Sequence, residues 1–176
     1  TARYGGNDQS TSLNATSWAF PLVRNWPLHE GLFFSEEDEH NYAKVAILGQ
    51  TVANALFESH NPLGAFIIID TVMFQVVGVM SAKGAAANGE DEDDVIFVPF
   101  TTGSLYLIGQ KHLRNITVAV KDVSRIGESE QKIHALLVQR HGLEDFRIRN
   151  MASLIEDATQ TQNTMTILLG SIAAIS

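Results

Sequence analysis

Apolar residues between positions 45 and 57 change from a continuous run to a helical spacing. Val45–Leu48 is uninterrupted and apolar, which predicts a short buried strand. After Gly49, the apolar residues Val52, Leu56 and Phe57 fall on one side of a helix. The pattern therefore predicts a strand, a turn and a helix in direct succession.

Three further strand-like runs follow this unit. Residues 66–69 and 73–79 are rich in β-branched and aromatic side chains around a turn at 70–71, which predicts a β-hairpin. Residues 95–98 predict another strand that ends at a proline, and residues 102–108 predict a short helix. The central part of the chain is therefore expected to mix α and β elements.

The N-terminal part lacks a long regular pattern. Residues 1–17 are polar and rich in turn-forming residues, which predicts a loose hairpin or a loop. Pro21 and Pro27 exclude one continuous helix or a central strand over the aromatic-rich segment that follows. Ser35 then precedes the acidic residues 36–39, an order that predicts a helix N-cap with an acidic first turn.

The last third of the chain alternates strand-like and helix-like patterns. Residues 115–120 and 146–150 alternate apolar and polar positions, as strands do. Between them, residues 124–140 carry apolar side chains at helical spacing, and Gly142 is the expected stop. This order predicts a right-handed βαβ unit with two parallel strands.

The C-terminal segment is almost wholly apolar. No charged residue follows Asp157, and the apolar positions over residues 165–175 surround a helix rather than forming a stripe. We expect residues 159–176 to begin a membrane helix, although the apolar run is shorter than the roughly 20 residues that cross a bilayer. An amphipathic helix packed on the domain is the alternative. The residues expected at the membrane entry are Met165, Ile167, Leu168, Leu169 and Ile172.

Composition and charge exclude several classes of protein. The chain has 176 residues, of which 45% are hydrophobic, and this is enough for a folded core. Its 12 basic and 20 acidic residues give a formal net charge of −8, without a cluster of Lys or Arg, so nucleic acid is not an expected partner. The absence of cysteine excludes disulfides and a thiolate nucleophile.

The sequence carries no motif for catalysis or for cofactor binding. A phosphate-binding Gly-x4-Gly-Lys-Ser/Thr loop and a Gly-x-Ser-x-Gly nucleophile elbow are both absent. The six histidines occur singly, without the spacing of a metal pair. We therefore predict no catalytic, cofactor-binding or metal-binding residue. A hydrolase that uses His40 with adjacent carboxylates is an alternative, and it requires these groups to converge in one pocket.

One acidic run stands out after a small, flexible segment at residues 82–89. It consists of Glu90, Asp91, Glu92, Asp93 and Asp94. A calcium loop alternates its ligands and places a glycine at the sharp turn, and this run does neither. We therefore expect an exposed loop that is either solvated or faces a partner. The candidate partner contacts are this run and Trp26.

Several segments in a fixed order carry a family resemblance. They are VRNWPLHEGLFFSEED, VAILGQTVANALF, NPLG, FQVVGVM, DDVIFVPF and TMTILLGSIAAIS, which together extend over most of the chain from Trp18 onward. In this order they resemble the periplasmic domain of MacB-type ABC permeases, the macrolide and peptide exporters of tripartite pumps.

The resemblance implies an α+β fold in two parts. A small mixed α/β subdomain is inserted on a membrane-proximal subdomain of βαβ units. Residues 1–113 would form the insert, residues 114–158 the second βαβ half, and residues 159–176 the start of the second membrane helix. The first βαβ half is expected before Thr1.

The resemblance also implies a location, partners and a function. The protein would lie in the bacterial inner membrane as a permease homodimer, with this domain in the periplasm. A periplasmic adaptor would dock on the insert and connect it to an outer-membrane channel. ATP and Mg²⁺ would bind a cytoplasmic domain outside this chain, and their use would drive export of a periplasmic substrate, which would be an antibiotic, a peptide or a lipid-like molecule.

Two alternatives stay open from the sequence. One is an extracytoplasmic binding or scaffold domain that a single membrane helix anchors. The other is a permease of the lipoprotein-releasing type. The number of membrane helices in the full gene and a neighbouring Walker A motif would discriminate between an exporter and a single-span protein.

Overall fold

The computed structural model describes residues 1–150 except 59, 87, 88 and 111. The chain divides into two units, Thr1–Ala119 and Val120–Ser176. Among the described residues, no helix combines the length and apolar character needed to cross a membrane. The predicted membrane entry at Met165, Ile167, Leu168, Leu169 and Ile172 lies outside the described residues.

Eight strands of the first unit form one mixed sheet. In chain order they are β1 Ala2–Tyr4, β2 Asn7–Gln9, β3 Ser12–Thr16, β4 Leu28–Gly31, β5 Val45–Leu48, β6 Phe66–Ile69, β7 Val72–Met80 and β8 Val95–Pro99. Across the sheet the order is β2-β1-β6-β7-β5-β8-β3, and β4 pairs with the second half of β7. The pairs β3–β8 and β5–β7 are parallel, whereas the other pairs are antiparallel.

The described part of the chain also contains five α-helices, four in the first unit and α5 in the second. They are α1 Phe20–Arg24, α2 Glu36–His40, α3 Gln50–Phe57, α4 Phe100–Gly103 and α5 Ile126–His141. A π-helical turn, Ser104–Ile108, continues α4, so the helix predicted over residues 102–108 is present but begins at Phe100. A 3-10 turn, Val123–Arg125, precedes α5.

The prediction for the central part of the chain is confirmed. β5, α3, the β6–β7 hairpin and β8 all lie where the apolar pattern placed them. The physical reason is burial on both faces of the sheet. In β5, Ala46 and Leu48 pack toward α3, whereas Ile47 packs on the opposite face. A continuous apolar run is the pattern that such a doubly covered strand requires.

Two hydrophobic clusters cover the two faces of this sheet. The cluster on the α3 side includes Leu56, Phe57 and Phe74. The cluster on the other face is rich in aromatic side chains. It contains Trp26, Phe34, Ile47, Met80 and Phe97, with Phe20 and Phe33 packed against it. The sheet is therefore the centre of a sandwich of apolar layers, which gives the first unit a rigid core.

The predicted N-cap at Ser35 is confirmed as a full capping box. The backbone N–H of Asp38 donates to Ser35 Oγ over 3.1 Å, and the backbone N–H of Ser35 donates to Asp38 Oδ2 over 2.8 Å. These two bonds satisfy donors that a helix start otherwise leaves free. The acidic residues 36–39 thus begin a helix, as expected.

The first seventeen residues are more ordered than their polar sequence predicts. They form the β1–β2 hairpin and β3, and β3 runs parallel to β8 over its full length, from the pair Ser12–Val95 to the pair Thr16–Pro99. The expectation of a loop is wrong for β3. An edge strand can be polar on the face that is exposed to solvent as long as its other face packs on the core. In β3, Leu13 and Ala15 pack against the core cluster.

The predicted βαβ unit is confirmed only in its helix. α5 ends at Gly142, which has a φ of 76° and whose N–H donates to the Val138 carbonyl over 2.9 Å. Residues 115–120 and 146–150 form no strand, so both strand predictions are wrong in this structure. Alternation defines two faces of a segment but supplies no partner, and a strand exists only where a neighbouring strand accepts its hydrogen bonds.

Candidate partner-binding surface

The candidate surface consists of the acidic run at residues 90–94 and the residues around it, and Trp26 is buried beneath it. Its side chain is only 7% exposed, and its Nε1–H donates to the Ser81 carbonyl over 2.7 Å. Its ring meets the ring of Phe97 edge-on at a centroid distance of 5.7 Å. Trp26 therefore has little surface of its own for a partner, and it fixes the segment that leads to the acidic run.

Lys83 joins Trp26 to the acidic run. Its Nζ lies 4.9 Å from the centroid of the Trp26 ring, in the geometry of a cation–π contact. The same Nζ forms an ion pair with Glu92. The structure thus brings together two features that the sequence singled out separately. Nothing in the sequence marks Lys83, because the bridge depends on the fold.

Asp93 is an anchor within the run. It is 5% exposed, and its carboxylate accepts hydrogen bonds from the backbone N–H of Lys83, at 2.9 and 3.0 Å, and of Gly84, at 2.9 Å. The expectation that the whole run is exposed is therefore wrong at Asp93. A buried carboxylate needs such donors, and here the backbone of the preceding loop provides them.

The acidic run lies against the first turn of α3. A Cβ at Gly49 would stand 2.1 Å from the Asp93 carbonyl oxygen, so only glycine allows this approach. Asp91 accepts from the Thr51 hydroxyl over 2.7 Å and from the Asp93 N–H over 2.9 Å. The bond from Thr51, followed by the bond from Asp93, lowers the pKa of Asp91 below its ordinary value. Asp91 is therefore ionised and held in place.

Asp94 and Glu90 differ in their environment. Asp94 is half-buried, and Gln9 Nε2 donates to its Oδ1 over 3.3 Å, which connects the run to β2. Glu90 lies on the exposed side of the loop. Of the five predicted acidic contacts, Asp93 is buried, and the other four keep some surface.

A groove of about 620 Å³ lies beside the acidic run, within the first unit. Its wall includes the aromatic side chains Phe20 and Phe97 and the β3 residues Ser12, Asn14 and Thr16. Four carboxylates and two cations line it. They are Glu39, Asp91, Glu92, Asp94, Arg24 and Lys83. An apolar floor with a mostly acidic rim suits a partner that presents apolar and cationic side chains.

The described residues show no arrangement for catalysis at this surface. They contain no group of three or more His, Cys, Asp or Glu side chains that could hold a metal ion. His40 is exposed, and its Nδ1 lies 2.8 Å from the Glu36 carbonyl oxygen rather than against a carboxylate. The hydrolase alternative needs convergent groups, and His40 does not provide them.

Solved structures resemble this fold. The crystal structure of the periplasmic region of MacB from Actinobacillus actinomycetemcomitans matches with a TM-score of 0.77 and 24% identity, over 90% of this chain and 70% of that one. The extracellular domain of the noncanonic ABC-type transporter YknZ from Gram-positive bacteria matches with a TM-score of 0.71 and 22% identity, over 85% of this chain and 75% of that one. The chain thus shares the fold of these two domains.

Three relatives found by sequence are more similar to this chain in sequence than the two solved structures are. A Wolinella succinogenes protein named macrolide export ATP-binding/permease protein MacB is 72% identical over 100% of this chain and 28% of its own length. A Marinobacter nauticus protein of the same name is 60% identical over 100% of this chain and 27% of its own length. A Pseudomonas syringae protein named pyoverdine export ATP-binding/permease protein PvdT is 43% identical over 99% of this chain and 27% of its own length.

The family follows from these comparisons. The family model of the MacB-like periplasmic core domain matches residues 1–136. The chain belongs to the MacB-like periplasmic core domain family, which confirms the resemblance drawn from the sequence. It spans between a quarter and a third of the length of the curated relatives it matches.

Proposed function

We propose that this chain is the periplasmic domain of an ABC-type export permease in the bacterial inner membrane. The observation that carries the proposal is the 72% identity, over the whole chain, to a protein named as a macrolide export permease. ATP and Mg²⁺ bind a cytoplasmic part of the transporter that lies outside this chain.

The proposed mechanism is mechanical coupling. ATP-driven dimerisation in the cytoplasm moves the membrane helices of the permease. The motion reaches the periplasmic domains of a permease homodimer. A sheet with both faces buried moves as a rigid body, since packed cores deform little, and so it can push substrate outward. The substrate is an antibiotic, a peptide or a lipid-like molecule.

The groove with the acidic rim is the proposed docking surface for a periplasmic adaptor, which leads to an outer-membrane channel. Its rim carries four carboxylates and two cations, and an ion pair already engages Lys83. This charge favours an adaptor segment with exposed Lys or Arg. Asp91, Glu92 and Asp94 would form the contact, whereas Trp26 and Asp93 hold the loop beneath them.

Adaptor binding by the full-length permease tests both parts of the proposal. The triple variant Asp91→Asn, Glu92→Gln and Asp94→Asn removes three charges and keeps the side-chain size, and each amide retains one of the two acceptor oxygens of the carboxylate it replaces. We expect the Kd for the purified adaptor to rise about tenfold at low salt. ATP-dependent macrolide export by cells that carry the permease, the adaptor and the outer-membrane channel should fall with it when the adaptor is limiting.

A matched variant controls for net charge. Glu36→Gln, Glu37→Gln and Glu58→Gln also remove three charges, from exposed residues that do not line the groove. This variant should bind the adaptor like the wild type. Equal binding by both triple variants would exclude the groove as the interface. A wild-type protein without ATP-dependent transport would refute the exporter itself.

A further inference from the structure

The inner edge of β3 pairs with β8 over the whole strand. The backbone N–H of Ser12 donates to the Asp94 carbonyl over 3.4 Å, and the parallel register continues over all five residues of β3. In a parallel pair, each residue directs its N–H and its C=O to the same side of the strand, and consecutive residues alternate in side. Ser12, Asn14 and Thr16 therefore bond to β8.

The outer edge of β3 is open in the described part of the chain. β3 is the last strand in the order of the sheet, so no described strand lies beyond it. By the same alternation, Leu13 and Ala15 direct their N–H and C=O groups to this outer side, while their side chains pack against the core. The edge thus presents two donors and two acceptors at strand spacing, to which an extended peptide can add as a further strand.

β3 lacks the features that usually protect a sheet edge. Its sequence, SLNAT, has no charged residue and no proline, and its register with β8 shows no bulge. The strand at the opposite end of the sheet, β2, is three residues long and carries Asp8, which forms an ion pair with Arg3. β4 carries Glu30 beside an irregularity in its register with β7. Among the described edges, the outer side of β3 is therefore the one best suited to strand addition.

β3 also lines the groove of the proposed docking surface. Every second side chain of the strand, at Ser12, Asn14 and Thr16, belongs to the wall of this groove. A strand added beside β3 would place every second side chain of its own on the same face. Leu113 and Ile116, which are 55% and 65% exposed, line the same groove and offer apolar contact to such a strand.

The carboxylates near the two ends of β3 favour a cationic occupant. Asp94 lies beside the first residue of the strand, and beyond its last residue the backbone N–H of Trp18 donates to Glu39 Oε2 over 3.1 Å. Both carboxylates line the groove. A second copy of this chain would bring the same carboxylates and a formal net charge of −8, which opposes pairing between two copies at this edge.

We propose that β3 binds the adaptor by strand addition. An extended segment of the adaptor bonds through its backbone to Leu13 and Ala15, and it places Lys or Arg side chains at alternate positions toward the acidic rim. This inference rests on the proposed docking surface and adds the backbone of β3 to it as a source of affinity. Backbone bonds accept many sequences, so the selectivity for a cationic segment comes from the rim.

Hydrogen–deuterium exchange on the full-length permease, with and without the purified adaptor, tests strand addition. Fragmentation by electron transfer resolves the single amides of residues 13–15. At an adaptor concentration of about 100 times the Kd, exchange at Leu13 and Ala15 should slow by up to about 100-fold. Exchange at Asn14, whose N–H already bonds to β8, should change little. Unchanged exchange at Leu13 and Ala15 in the complex would overturn the proposal without any variant.

A proline on the outer edge provides a second measurement. Ala15→Pro removes one outward donor and keeps the bonds to β8, since an edge strand tolerates proline where the N–H faces outward. We expect the Kd for the adaptor to rise about tenfold. The control Ala15→Ser changes the same side chain, retains the N–H and should bind like the wild type. If Ala15→Pro does not fold, the exchange measurement still decides. Wild-type affinity in a folded Ala15→Pro protein would contradict strand addition.

The outcomes distinguish this inference from the proposed function. Adaptor binding that is absent, or that the triple variant of the acidic rim leaves unchanged, would refute the docking surface itself. Binding that depends on the rim but leaves Leu13 and Ala15 unprotected would refute strand addition alone. Protection of these two amides before the adaptor is added would assign the edge to a second copy or to another segment of the permease, and this would also overturn the proposal.

Discussion

The two units of this chain use similar apolar patterns with different results. In the first unit, alternate residues of the sheet enter two cores, and Phe74 and Phe97 are fully buried. In the second unit, no described residue of α5 is buried, and Leu136 is 49% exposed. The comparison shows that a periodic spacing of apolar residues creates an apolar face, but that this face stabilises the fold only when other elements pack against it.

The polar contacts of α5 add little stability in place of the missing apolar burial. The side chain of Glu128 on α5 pairs with Arg125 and Lys132, and the bonds from Arg125 and then Lys132 lower its pKa. Such exposed pairs stabilise a helix only slightly. We therefore expect the first unit to unfold cooperatively and α5 to depend on local contacts.

The largest expected effect is the loss of a core ring in the first unit. Phe74→Ala should lower the free energy of unfolding by about 3–5 kcal/mol, because it removes a fully buried ring and leaves a cavity. Denaturant titration followed by tryptophan fluorescence measures this, since Trp18 and Trp26 both lie in the first unit.

Two matched variants complete that test. Phe66→Ala makes the same chemical change at a ring on β6 that is 57% exposed, and it should cost about 1 kcal/mol or less. Leu136→Ala on α5 should alter stability by about 0.5 kcal/mol or less, as measured by far-ultraviolet circular dichroism. A large loss from Leu136→Ala would contradict the contrast between the units.

A smaller effect compares the helix caps of the two units. Ser35→Ala breaks the capping box of α2 and should destabilise the first unit by about 1 kcal/mol. Asp122 accepts from the backbone N–H of Ser124 before α5, and Asp122→Ala should leave the fluorescence transition unchanged. Amide exchange should instead accelerate in the first turn of α5. A shifted fluorescence transition in Asp122→Ala would show that the two units unfold together.

The smallest effect is the acid response of the acidic run. The pKa of Asp91 is lower in the folded protein than in the unfolded chain, so its hydrogen bonds stabilise the fold fully above the unfolded pKa. This stabilisation is lost as the pH falls through the lower, folded pKa, which lies below about pH 4. Thr51→Val removes the hydroxyl that is the main cause. The protection factors of the amides of residues 90–94, which correct for the intrinsic effect of pH on exchange, should then change less between pH 6 and pH 3 than in the wild type. Equal changes in the two proteins would contradict this role of Thr51.

The candidate surface could be predicted only in part. The unusual local composition of the acidic run and of Trp26 was visible in the sequence, but only the structure shows that Trp26 and Asp93 are buried and that the other carboxylates keep some surface. Asp93 turns inward because the loop backbone at Lys83 and Gly84 presents N–H groups there. Lys83 had no sequence signal, since its two partners are 57 residues away on one side and nine on the other along the chain.

The sequence by itself determined the elements whose apolar positions are buried locally and completely, together with the Ser35 cap and the family. Tertiary structure alone decided the place of β3 beside β8, the inward turn of Asp93, and the lack of strand structure at residues 115–120 and 146–150. The physical reason is range. Caps and helical faces depend on residues within one or two turns, whereas strand pairing and buried charges depend on partners that only the fold brings near.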